Sequence, residues 1–130
     1  MTTSPAVFSG LLGGDLSGLV FTPFRPGVDI CRLADNAAGE TTLALLRYGA
    51  GASVPRHMHP DTETIIVLTG AQSDERGTYR AGDVVVNAPG SAHRVWSDNG
   101  CLVLISWGKP VRILDDAPHG GGCTGAAGNG

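Results

Sequence analysis

An all-β domain is the fold class that this 130-residue sequence predicts, and three observations predict it. Twenty glycines and eight prolines interrupt the chain, and in a helix interior glycine costs about 1 kcal/mol and proline about 3. Between them, short apolar segments recur at intervals of roughly 8–12 residues without amphipathic helices, the spacing of a sandwich or barrel. Finally, 42% of the residues are hydrophobic and only 16% charged, whereas disordered chains are apolar-poor and charge-rich. No Gly-X-Y period is present, which excludes collagen.

Residues 1–18 read as a small-residue, glycine-rich N-terminal extension in which Ser4-Pro5 has the chemistry of a helix start. The strand candidates begin at Val20. Val28 to Leu33 runs into a loop over 34–40, and Thr42 to Tyr48 ends at Gly49-Ala50-Gly51. Ser53 to His59 stops at Pro60-Asp61, and Glu63 to Leu68 runs to Gly70. Gln72 to Asp74 turns at Glu75-Arg76-Gly77. Gly82-Asp83 precedes Val84-Val85-Val86, and Pro89-Gly90 leads into His93 to Ser97. Asp98-Asn99-Gly100 is the best hairpin signal in the chain, because Asn-Gly accepts positive φ cheaply. Cys101 to Trp107 and Val111 to Leu114 complete a barrel domain over 19–114. Residues 115–130 hold no core-forming side chain and read as a flexible glycine-rich tail, with no role for His119 or Cys123.

The net charge is −3, and the eight arginines are scattered singly with one lysine, Lys109. Phosphate neutralisation calls for a basic cluster, so neither nucleic acid nor an anionic membrane is an expected partner. Cys31, Cys101 and Cys123 are odd in number and form no CxxC pair, which fits a reducing compartment. The N-terminus lacks the basic region and apolar stretch of a secretory signal. No run approaches the roughly 18 apolar residues of a membrane span. Together these features predict a cytoplasmic location.

Chemistry concentrates at three histidines and a glutamate. His57 and His59 are two apart, so on a strand both project from one face. Glu63 keeps that parity and opens a run in which Ile65 and Val67 share its face. Two imidazoles and a carboxylate facing a barrel interior are costly to bury unpaired, and a metal ion removes the cost. His93 follows the Pro89-Gly90 turn, which can bring a fourth donor to the same point. A lone His-x-His is a weak motif, and a packed core histidine is its bland alternative; the four residues together favour a ligand set.

These residues resemble the cupin family. Gly51, His57, His59, Glu63 and Gly70 meet every spacing of the first cupin motif. Gly82-Asp83, Gly90 and His93 are in register with the second, although Pro89 directly precedes Gly90 and Ala88 stands in the usual proline place. The resemblance implies a double-stranded β-helix, the cupin jelly-roll barrel, over roughly residues 20–114. SDERGTYRAGD and GSAHRVWSDNGC look more narrowly like the cupin domain of ChrR-type anti-sigma factors. They also look like stand-alone relatives, including small dioxygenases that cleave diketones or aryl ketones. Carried over by position, the ChrR-type metal ligands are His57, His59, Glu63 and His93. The anti-sigma helical domain has no counterpart here, so direct sigma-factor inhibition is not expected.

Three imidazoles and one carboxylate suit iron, zinc, manganese or nickel, and copper among imidazole-binding ions. A tetrahedral set saturates zinc and leaves it structural, whereas six-coordinate iron or manganese keeps up to two positions for substrate or dioxygen. The donor set does not choose between these, and the resemblance makes the leading expectation a divalent-metal-binding cupin acting as an iron-dependent dioxygenase of a small ketone or diketone. The alternative is a non-catalytic, ChrR-like zinc-binding sensory or structural module. Asp61, Arg94, Ser91, Thr62 and Thr64 are candidates for residues behind the ligands. Tyr48, Phe24, Trp96 and Trp107 are available as pocket walls, with core packing as their ordinary use. Cys101 reads as a packed thiol. Ile66 and Leu68 point away from the Glu63 face and need cover, from the second sheet or from a partner copy, which suggests a homodimer.

Overall fold

The structure, a computed structural model, describes residues 4–114. The expected tail over 115–130, with His119 and Cys123, lies outside the described residues. Ten strands follow one 3-10 turn at Leu11–Gly13: β1 (Thr22–Arg25), β2 (Val28–Asp35), β3 (Thr41–Tyr48), β4 (Ser53–Met58), β5 (Glu63–Asp74), β6 (Gly77–Arg80), β7 (Val84–Asn87), β8 (Ala92–Trp96), β9 (Cys101–Trp107) and β10 (Arg112–Ile113). Ser4-Pro5 starts no helix.

Every pairing is antiparallel. One sheet runs β1-β2-β3-β9-β5-β7, and the other gathers β6, β8, β4 and β10 around the far end of β5. β5 therefore belongs to both: Glu63 to Ile66 pair with β7 and β9, while Ser73 and Asp74 pair with β6 and β8. The expected break between Leu68 and Gln72 is a bend within this continuous strand. A register shift between Val67 and Thr69 on β9 marks it, and Gly70 sits there at φ 72°. A Cβ at Gly70 would run into the Gly100 carbonyl oxygen and lie 2.9 Å from Cys101 Cα. Only glycine fits so close a backbone crossing.

The Asn99-Gly100 signal is a correction. β8 pairs with β4 and β5, and β9 pairs with β3 and β5, so these consecutive strands form no hairpin. A type I′ hairpin turn needs positive φ at both central residues. Among the described residues only glycines have positive φ, so Asn99 does not meet that need, and the turn carries the chain from one sheet to the other.

The inner core joins Val28, Ile30, Leu46, Val54, Ile65, Val67, Val95, Val103 and Ile105 from both sheets, beneath the histidines. Leu45, Cys31 and Leu102 point outward from the first sheet into a second cluster. Phe8, Leu11, Leu16, Leu19 and Phe21 cover them, and Leu68 packs there as well. Part of the outward aliphatic surface at Leu68 thus finds its cover within the chain.

Candidate metal centre

β4 and β8 pair so that His57 and His93 are directly opposite. His59 lies one residue past β4, where the Pro89-Gly90 turn clamps it: its N–H donates to Ser91 O at 2.9 Å, and Gly90 N–H donates to His59 O at 2.7 Å. Glu63 opens β5 and faces the same point. The donor atoms of His57, His59, Glu63 and His93 all lie within 4.8 Å of one another. Residue exposures are 3%, 1%, 3% and 2% in that order. The three rings stand edge to face, with centroids 4.7–5.1 Å apart.

The bonds behind the rings determine what faces the centre. His57 Nδ1–H donates to Pro55 O at 2.8 Å. Ser91 Oγ–H donates to Ala88 O at 2.6 Å, so its oxygen is left to accept the His59 Nδ1–H at 3.0 Å. His93 Nδ1 lies 3.0 Å from Asp74 Oδ2. An ionised carboxylate only accepts, so His93 carries its proton on Nδ1. All three Nε2 atoms therefore present lone pairs inward. His59 Nε2 and His93 Nε2 are buried without a hydrogen-bond partner, and they lie 3.1 and 4.0 Å from Glu63 Oε1.

Leaving a buried polar group unpaired costs roughly 2–7 kcal/mol. Here lone pairs also face a carboxylate oxygen, so the cost is compounded by repulsion. A cation accepting all four relieves both, and the donor set fits a divalent ion. Burial pushes the His57 imidazole down to about 4, against the opposing pull of the Pro55 bond and Glu63. His57 is thus neutral at pH 7, as a metal ligand must be. Burial works to raise the Glu63 carboxyl, and the bond from the Trp107 N–H is among the contacts that oppose it and leave the carboxyl below its ordinary value.

Glu63 is held from behind as well. Trp107 Nε1–H donates to Oε2 at 2.6 Å, and Asn87 Nδ2–H donates to Oε1 at 3.1 Å. Among the residues expected behind the ligands, Ser91 is in place. Arg94 is not: its backbone N–H bonds Glu75 and its side chain is on the outer surface beside Ser53 and Trp96. Asp61 accepts from the Thr62 N–H next to it. Sequence reasoning missed Asp74 and Asn87, and assigned Trp107 only to walls or core. A cavity of about 10 Å³ adjoins the centre between His57, Glu63, His93, Tyr48 and Gln72. Gln72 donates to the Tyr48 hydroxyl at 3.3 Å.

Residues 13–110 match the family model of the ChrR cupin-like domain. The anti-sigma-E factor ChrR of Cereibacter sphaeroides is 28% identical over 117 residues, covering 88% of this chain and 54% of that protein. The chain thus spans about half the length of this curated relative. A structure of Rhodobacter sphaeroides SigE in complex with the anti-sigma ChrR matches with a TM-score of 0.63 at 25% identity, covering 81% of this chain and 70% of that one. An acetylacetone dioxygenase from Acinetobacter johnsonii shares the fold, with a TM-score of 0.72 at 17% identity over 89% of this chain and 81% of that one. No helix among the described residues is long and apolar enough to cross a membrane. With residues 13–110 matched end to end and the barrel closed around its histidines, the chain belongs to the ChrR cupin-like domain family.

Proposed function

We propose that the chain is a divalent-metal-binding cupin module whose centre is closed, with zinc as the ion it retains and a binding or sensory role in place of turnover. One observation carries this reading: four donors at most 4% exposed at the side chain surround a point whose adjoining cavity is about 10 Å³. That is room for about one water, and too little for a ketone or diketone. Bound there, a divalent ion supplies a positive charge that neutralises Glu63 and Lewis acidity for one small ligand. The chain does the rest. Pro55, Ser91 and Asp74 hold the imidazole protons on the outer nitrogens, while Trp107 and Asn87 fix Glu63. Leu46, Val54, Ile65, Val95 and Ile105 give the adjoining cavity apolar walls.

The iron-dependent dioxygenase of a ketone or diketone is the second reading. It is favoured by the cavity itself, whose walls beside His57, Glu63 and His93 are mostly apolar. Four protein donors also leave up to two positions free on a six-coordinate ion. Elemental analysis of protein purified without chelator, followed by oxygen uptake of an iron-loaded sample on a diketone panel, decides between them. Stoichiometric zinc and no oxygen consumption are expected; diketone-dependent uptake abolished by His57→Ala overturns the closed-centre reading. The sigma-factor partnership belongs to the ChrR relative. For this chain, a protein partner or a second copy is tested by size-exclusion chromatography with light scattering.

A further inference from the structure

We infer that Asp74 is a positioning residue of this centre, one that sets the His93 tautomer and makes His93 the most strongly donating of the three imidazoles. The inference rests on the metal-binding reading above. Asp74 ends β5, eleven positions after Glu63 begins it, and its side chain is 1% exposed. Its carboxylate is surrounded by donors. Oδ1 accepts the Tyr79 hydroxyl and the Arg76 backbone N–H, each at 2.8 Å. Oδ2 has Arg76 Nη1 at 3.4 Å and His93 Nδ1 at 3.0 Å.

The three histidines therefore differ in what stands behind them. His57 has a peptide carbonyl and His59 a serine hydroxyl, both neutral. Only His93 has a carboxylate. A charged acceptor makes a hydrogen bond roughly twice as strong as a neutral one. It draws the Nδ1 proton outward and raises the basicity of the metal-facing nitrogen. A purely structural account would have Asp74 cap the β5–β6 turn through Arg76 and leave His93 indifferent.

Asp74→Asn separates the two accounts. The amide has one oxygen, which the Arg76 N–H and Tyr79 O–H claim, so its NH₂ faces His93 Nδ1 and shifts the imidazole proton to Nε2. Zinc affinity is measured on the intact chain by competition with a chromophoric chelator, and the His93 tautomer by ¹⁵N NMR of the metal-free protein. Asp74→Asn is expected to weaken zinc binding about 10–100-fold and to put the proton on Nε2. Asp74→Glu is expected to recover part of the loss, and Ser91→Ala to lose less than Asp74→Asn. Affinity within twofold of the unsubstituted chain, an unchanged tautomer, or an equal loss in Ser91→Ala overturns the inference. If Asp74→Asn does not fold, Tyr79→Phe withdraws one donor from the same carboxylate. With one competing donor fewer, more of the carboxylate's charge is left for His93, so a gain in zinc affinity of at least about twofold then supports the role, and unchanged or weakened affinity overturns it. Failure of the unsubstituted chain to bind zinc defeats the metal reading itself, a different result.

Discussion

Trp107 shows how much chemistry one side chain carries in so small a barrel. Its ring fills the inner core while its N–H holds Glu63. Trp107→Phe keeps most of the apolar contact and removes a bond to a buried charge, worth about 1.5–3 kcal/mol. Urea unfolding of the metal-free variant is expected to show a loss of that size, with weaker zinc retention. His57 supplies a pH dependence of definite sign. Its folded-state pKa is about 4 against an unfolded value of about 6.5, so between these pH values the unfolded chain binds more protons. Stability rises with pH wherever that holds. The urea midpoint of the metal-free protein is therefore expected to fall as pH drops from about 6.5 to about 4, and His57→Gln to flatten that slope.

Among the elements, β5 decides what was readable in advance. Up to Val67 its period-two alternation is regular, and the parity that joined His57, His59 and Glu63 pointed correctly into the core. Past the bend the alternation is lost: Gln72, Ser73 and Asp74 are all buried, and it is Gln72 and Asp74 that reach Tyr48 and His93, while Ser73 bonds Thr78. A one-residue irregularity turns every later side chain to the other face. Counted on from Glu63, Asp74 reads as outward-facing, and nothing local to it announces the bulge. Asn87 and Trp107 were hidden for another reason: both are direct cross-strand partners of Glu63, and pairings between distant segments have no local signature. The convergence of His57, His59, Glu63 and His93 was legible because their spacing is a matter of neighbouring residues and one turn. Gly70→Ala tests the bend. The αL backbone alone costs a side chain of order 1–3 kcal/mol, and the collision with Gly100 adds to it. A lowered thermal midpoint, together with weaker zinc binding from ligands far along the chain, is the expected result.

At the scale of the molecule, two contributions hold the barrel: its apolar layers and the centre at its mouth. The outer layer depends on the N-terminal segment, where Leu11 is 7% exposed against Leu45 and Leu102. Leu11→Ala is expected to cost roughly 2–5 kcal/mol, read from urea denaturation, without altering zinc affinity. On the proposed reading the centre's contribution would scale with occupancy: zinc at a hundred times its dissociation constant would add about 2.7 kcal/mol. A thermal midpoint that rises with zinc and falls with chelator, and that is insensitive to both in His57→Ala, is the expected pattern.

The path of β5 has a mechanical consequence. Laid straight, the eleven intervals from Glu63 to Asp74 would span about 36 Å. Yet Glu63 Oε1 is 4.0 Å from one nitrogen of His93, and Asp74 Oδ2 is 3.0 Å from the other. The strand is a belt wrapped around the hydrophobic interior, and His93 is its buckle. On the proposed reading an ion fastens the Glu63 end and the Asp74 bond the other, so neither sheet can peel away without the other and amide hydrogens along the whole of β5 should exchange at one common, slow rate. Removing the metal with chelator or replacing Asp74 should then release protection along the entire strand at once.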